Sequence, residues 1–288
     1  MKANALTVFF TPAMVADSQS FSPSAMKPLQ VVESWKKLRV TLDFRKPDRA
    51  TVEEFCRAHD EKFVRDVLSL RTENGFGNRS KAVAESLPWT TGAMRSAAMH
   101  AWKNETAAAA PCSGFHHAGH AHVSGFCTFN GLMVTAFALH AAGAKKVGIL
   151  DCDHHEGDGT EQIIGRLRAT EWVDHFTAGA NYSHERDVSR FFKALPNVLR
   201  SMGDCDVVLY QAGADPHLND PLGGWLTTDE LRERDELVFD TFAAQGTPVA
   251  WNLAGGYQKE ADGSIPKVLE VHDNTLLACA NAFVSRAD

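Results

Sequence analysis

Val147-Gly148-Ile149-Leu150-Asp151-Cys152-Asp153-His154-His155-Glu156-Gly157-Asp158-Gly159 is the stretch from which the fold can be read. An apolar run of strand length ends in a burst of acids and histidines, then in glycines. Short apolar runs bounded by turn residues are the mark of a strand buried on both faces of a parallel sheet. In open α/β sheets of that kind, ligands sit just beyond the carboxyl ends of the strands. The stretch therefore predicts both a fold class and a metal site at a strand end.

Working outward from it, strands and helices alternate to the end of the chain. Strands are predicted over 146–153, 172–178, 206–212 and 248–254, and helices over 159–169, 188–202, 228–245 and 266–284. Apolar strands separated by helices of this length mean βαβ units and a sheet covered on both sides. Toward the N-terminus the spacing predicts a strand over 6–10 and helices over 28–41, 52–59 and 61–70, with Thr51 and Glu54 forming a capping box. Residues 71–91, ending in Pro88-Trp89-Thr90-Thr91, read as a surface loop, and the alanine-rich 92–110 as a helix. A histidine-bearing loop spans 111–124 and another helix 128–142. With no internal repeat and no linker, residues 1–288 are predicted to form one α/β domain.

Composition narrows the function classes. The 288 residues can bury a substantial core without staples, and a net charge of -7 argues against nucleic acid as a general partner. No run approaches the roughly 20 apolar residues that span a bilayer. Six cysteines (56, 112, 127, 152, 205 and 279) are scattered without a CxxC pair, which favours reduced thiols. With no convincing signal peptide at the start, the expected location is cytoplasmic.

Three predicted strands end in chemistry: Val147–Leu150 in Asp151-Cys-Asp153-His-His155, Val207–Gln211 in Ala-Gly-Ala-Asp215, and Val249–Leu253 in Ala-Gly255-Gly256-Tyr257. In a parallel sheet these clusters meet at one edge. Asp153 and His155, two residues apart, share a face while the chain stays extended, and Asp215 could complete a set of two carboxylates and one imidazole. Such a set suits Zn²⁺, or Fe²⁺ in a site with open positions, and leaves room for water. Asp151 and Asp158 are then candidates to orient imidazoles. In the loop, adjacent His116 and His117 are candidates to divide general-base and electrostatic roles, whereas His120 and His122 read as ordinary solvated histidines.

Taken together these segments resemble the zinc-dependent histone deacetylase superfamily, which includes acetylpolyamine amidohydrolases and acetoin-utilisation proteins. The likeness rests on Gly114-Phe-His116-His117-Ala with Ser124-Gly125-Phe126-Cys127-Thr-Phe-Asn130, and on Leu150-Asp151-Cys-Asp153-His-His155-Glu-Gly157-Asp158-Gly159-Thr. Gly213-Ala-Asp215 followed by Asp220-Pro-Leu-Gly-Gly224, and Leu253-Ala-Gly255-Gly256-Tyr257, complete the order. The resemblance implies a single-domain, three-layer arginase/deacetylase-like fold with a mostly parallel sheet. Carried over by position, it makes Asp153, His155 and Asp215 the metal ligands and His116 and His117 the catalytic pair, oriented by Asp151 and Asp158. Tyr257 becomes the oxyanion donor, and Gly125 and Phe126 line the substrate channel. Zn²⁺ is the implied cofactor, with Fe²⁺ as the alternative metal and K⁺ as a structural ion on backbone oxygens around Asp151–His155.

The implied reaction is deacylation of an acylated amine, acyl-lysine in a protein or peptide first and an acetylated polyamine second. An arginase-type ureohydrolase with two metals and a catalytically idle acyl-lysine binder are the competing readings. Three departures stand out against the family pattern. Glu156 replaces the second histidine of the HHG segment, and Phe115 precedes the histidine pair, where it could alter the floor of the acyl pocket. The segment between 178 and Asp206 is too short to supply the usual second channel aromatic, which predicts a shallow, open site.

Overall fold

Strands as apolar as Val147–Leu150 need cover on both faces, and the chain supplies it. The computed structural model describes residues 3–285. The strands are β1 (Leu6–Phe9), β2 (Leu42–Arg45), β3 (Ala107–Ala110), β4 (Val147–Asp151), β5 (Val173–Thr177), β6 (Val207–Gly213) and β7 (Val249–Ala254). They form one sheet in the order β2-β1-β3-β7-β6-β4-β5 with every pair parallel. Around it lie α1 (Lys27–Trp35), α2 (Val52–Phe55), α3 (Glu61–Leu68), α4 (Lys81–Asn104) and α5 (Gly131–Ala141). The C-terminal half adds α6 (Asp158–Arg166), α7 (Val188–Ser201), α8 (Thr228–Gln245) and α9 (Pro266–Phe283).

Period-2 alternation divides each strand between two cores. Val208, Tyr210 and Ala212 of β6 and Trp251 of β7 join Trp35, Phe191 and Phe239 on one face. Val207 and Leu209 join Ile149, Met94, Phe129 and Leu132 on the other. The result is the three-layer α/β architecture expected. Among the described residues no helix is long and apolar enough to cross a membrane.

Two N-terminal expectations are overturned. The predicted loop over 71–91 is helical from residue 81, because Ser80 caps α4 by accepting from the Val83 N–H at 3.4 Å. Pro88 sits inside this helix. Its carbonyl accepts from the Ala50 N–H at 2.9 Å, and a Cβ on Gly92 would stand 2.1 Å from the Asp48 oxygen. The 48–50 segment is thus pressed onto α4, and tertiary packing overrides the penalty of an internal proline. Conversely, the helix predicted through residue 110 stops at Asn104, and Ala107–Ala110 become β3 in the middle of the sheet. Four alanines carry a helical propensity; fully buried between β1 and β7, they serve as a strand. Helix 52–59 shortens to one turn, although its Thr51–Glu54 capping box forms as predicted.

His59, buried at 1% exposure, ties this region to the loop after the histidine pair. Its Nε2 accepts from the Asn130 N–H at 2.9 Å, so Nδ1 carries the proton and donates to the Gly119 carbonyl at 3.0 Å. Burial above all pushes its pKa down to about 4. A histidine whose folded pKa lies below the unfolded 6.5 contributes stability that is present above pH 6.5 and lost as pH falls toward 4. For this group the loss between pH 7 and pH 5 is about 2 kcal/mol at 1.36 kcal/mol per unit. Urea unfolding of wild type and His59→Gln at both pH values should show a steeper acid loss in wild type by that amount; parallel losses would contradict it.

Candidate functional site

The chemistry gathers at the carboxyl ends of β4, β6 and β7, three neighbours in the sheet, with the loop after β3 folded over them. β4 pairs with β6 up to Asp151 opposite Gln211, and β6 with β7 up to Gly213 opposite Ala254. Just beyond these rungs the chains deliver Asp153, His155, Asp215 and Tyr257.

One ligand atom from each of Asp153, His155 and Asp215 can be chosen so that all lie within 4.8 Å of one another. His155 Nδ1 stands 3.2 Å from Asp153 Oδ1 and 3.0 Å from Asp215 Oδ2. Both carboxylates are buried, and among the described residues no lysine or arginine forms an ion pair with either. Burial and then the Asp153 charge push Asp215 above the usual carboxylate range. Hydrogen bonds from its ring N–H to Asp153 and Asp215 carry His155 up to about 10. Two buried carboxylates sharing one imidazole fit a divalent cation, and two oxygens with one nitrogen suit zinc or iron.

Each of the two loop histidines meets an acid through Nδ1. His116 Nδ1 pairs with Asp151 Oδ2 at 2.7 Å, and His117 Nδ1 with Asp158 Oδ1 at 2.6 Å. In each pair Nδ1–H donates to a carboxylate, and His116 Nε2 lies 3.7 Å from Asp153 Oδ1. Asp151 is itself fixed, since its Oδ1 accepts from the Asp153 N–H at 3.1 Å and from Gln211 Nε2 at 3.2 Å. Asp158 is the first residue of α6, and its side chain is 58% exposed. The rings of His116 and His117 lie 4.1 Å apart. Burial lowers the pKa of His116, but the Asp151 and Asp153 charges outweigh it and raise it to about 9. Burial and the His116 charge lower that of His117. The two imidazoles are thus shifted in opposite directions.

Backbone geometry places the wall. Gly125 adopts φ +51°, and a Cβ there would stand 2.3 Å from the His117 ring. Phe126 follows with φ +62°, rare for a bulky residue, and its ring packs 5.6 Å from Tyr257. Gly255 and Gly256, at φ +46° and +87°, swing the chain after β7 so that Tyr257 turns back over the site, its N–H on Asp220 Oδ2 at 2.7 Å. Burial, then the negative charges of Asp215 and Asp153, push the Tyr257 hydroxyl well above 10, so it remains a donor.

Other residues fall out differently. His154 contributes its N–H to Asp215 Oδ1 at 3.2 Å, a structural role, and Glu156 is exposed at the rim. His120 Nδ1 bonds the Ala58 carbonyl at 2.8 Å, while His122 is exposed and packs on Gly119. Phe115 is buried with its ring against Gly131, where a Cβ would stand 2.4 Å away, so much of its bulk enters the core. The 178–206 segment sends Tyr182 into the core on the opposite face of the sheet, against Phe191 and Trp225. Aromatic company for Phe126 comes instead from Phe21 at 5.2 Å and Phe76 at 6.0 Å, which sequence reasoning missed because both lie in irregular N-terminal segments. Also missed was Lys27, a fully buried lysine whose ammonium donates to the Gly255 carbonyl.

Comparisons with known proteins add likenesses of sequence and of fold. The family model described as "Histone deacetylase domain" matches residues 21–183, more than half of the chain. An uncharacterized protein of a Picosynechococcus strain is 32% identical over 164 residues, covering 51% of this chain and 54% of that protein. Acetylpolyamine amidohydrolase 1 of Pseudomonas aeruginosa is 41% identical over 177 residues, covering 51% of this chain and 50% of its own. The chain spans about half the length of these curated relatives. Among solved structures, the HDA15 HD domain superposes with a TM-score of 0.77 at 19% identity, covering 98% of this chain and 91% of that one, a likeness of fold.

Proposed function

Since the chain belongs to the histone deacetylase domain family, we propose that it is a metal-dependent amidohydrolase that removes an acyl group, acetyl first, from an acylated primary amine. The observation that carries this reading is the buried Asp153–His155–Asp215 group facing two histidines of opposite tuning. A Zn²⁺ ion held by those three residues would supply Lewis acidity to the amide carbonyl and to water. His117, neutral and free at Nε2, takes the proton of the attacking water and returns it to the leaving amine, held in place by Asp158. His116, locked by Asp151, whose charge raises its pKa, is placed to stabilise negative charge beside the reacting carbonyl. Tyr257 donates its hydroxyl to the oxygen on which charge develops. Phe126 and Gly125 form the wall along which the amine-bearing arm lies.

Acyl-lysine in a protein or peptide is the substrate we place first and an acetylated polyamine second; relatives named for each kind of substrate match the chain. The cytoplasm is the proposed location, supported by six free cysteines. A turnover panel of acetyl-lysine peptides, longer acyl-lysine peptides and acetylpolyamines tests the reading. Acid release from at least one class, abolished by a strong chelator, is expected. Tight acyl-peptide binding with no turnover in metal-replete protein would favour an idle binder instead.

A further inference from the structure

On the side of the ligand-bearing strands away from the histidine pair lies a fully buried ionic cluster that the reaction itself does not use. Arg234 and Asp235, successive residues of α8, are both 0% exposed. Arg234 Nε donates to Asp235 Oδ1 at 2.9 Å. That oxygen also accepts from the Tyr210 hydroxyl, and Oδ2 accepts from Thr275 Oγ1 at 2.5 Å. A buried carboxylate with this many donors cannot swivel, so the guanidinium it grips is held too.

The other arm of the guanidinium reaches the site. β4 and β6 are joined as far as the Cys152 N–H on the Gln211 carbonyl at 3.1 Å. Immediately past that bond, one nitrogen, Arg234 Nη1, donates to the Cys152 carbonyl at 3.2 Å and to the Gly213 carbonyl at 2.7 Å. Cys152 directly precedes Asp153, and Gly213 stands two residues before Asp215. The strands are close here: a Cβ on Gly213 would lie 2.5 Å from Asp153 Cα.

We propose that Arg234 is a positioning residue that bridges the ends of β4 and β6 and so sets the spacing of the Asp153 and Asp215 carboxylates for the metal. This rests on the metal reading above. Lysine keeps the charge but lacks the planar fork that can reach two carbonyls and a carboxylate at once.

The test is Zn²⁺ affinity, measured by competition with a chromophoric chelator well below the unfolding temperature, alongside kcat and KM, for wild type, R234K and Y210F. R234K should bind Zn²⁺ about tenfold more weakly, within the range for loss of an outer partner. At saturating Zn²⁺ its kcat should fall while KM changes little. Y210F, which loosens Asp235 without touching the guanidinium, should show a smaller loss in the same direction. Wild-type affinity in both variants would overturn the proposal, and if R234K does not fold, wild-type affinity in Y210F does so alone. A wild-type chain that takes up no Zn²⁺ sinks the metal reading and this inference together. One that binds Zn²⁺ beside unaffected variants sinks this inference only.

Discussion

Tyr257→Phe should lower kcat by about 10²–10³ while KM and Zn²⁺ uptake stay near wild type. The substitution removes one oxygen and keeps the ring that packs against Phe126. It also keeps the backbone N–H on Asp220 and the two left-handed glycines that aim the residue. What disappears is a donor that the buried, negatively charged surroundings hold in its protonated form. Its partner is the oxygen that gains charge only as the carbonyl becomes tetrahedral, so the loss belongs in kcat. Steady-state kinetics on the best substrate of the panel checks this; a rise in KM with kcat intact would place Tyr257 in substrate binding.

Asp215→Asn should bind Zn²⁺ at least about 10²-fold more weakly and lose activity at stoichiometric metal, a larger effect than removal of an outer partner. The side chain changes one oxygen for an NH₂ of nearly the same size, so the fit against Gly255, whose added Cβ would stand 2.1 Å from Asp215 Cγ, is preserved. The His154 N–H keeps an acceptor at Oδ1. The formal charge of the ligand set is what changes. Isothermal titration with Zn²⁺ checks it, and an Asn variant with wild-type affinity would remove Asp215 from the ligand set.

The C-terminal half of the fold was legible because its strands are apolar runs that end in glycine-rich clusters, with helix-length segments between them. The candidate site was legible for the same reason: the proposed ligands Asp153, His155 and Asp215, and Tyr257, each follow a strand that an apolar run marks. The N-terminal half resisted local reading. Ala107–Ala110 become a strand only because β1 and β7 flank them, and Pro88 stays helical only because the 48–50 segment packs on α4. The supporting residues were invisible for a third reason. Lys27 and Arg234 sit on helices far in sequence from the carbonyls they hold, at separations of 228, 82 and 21 residues, and nothing in a linear pattern marks a surface-type residue as buried.

The most direct test of the central claim is a metal titration of the activity. Chelator-stripped protein, assayed on the best substrate of the panel, should be inactive and should recover in proportion to added Zn²⁺ up to one ion per chain, with no further gain from a second. Full turnover in protein shown by elemental analysis to be free of metal would contradict the account, and a requirement for two ions would replace the Asp153–His155–Asp215 site with a two-metal mechanism.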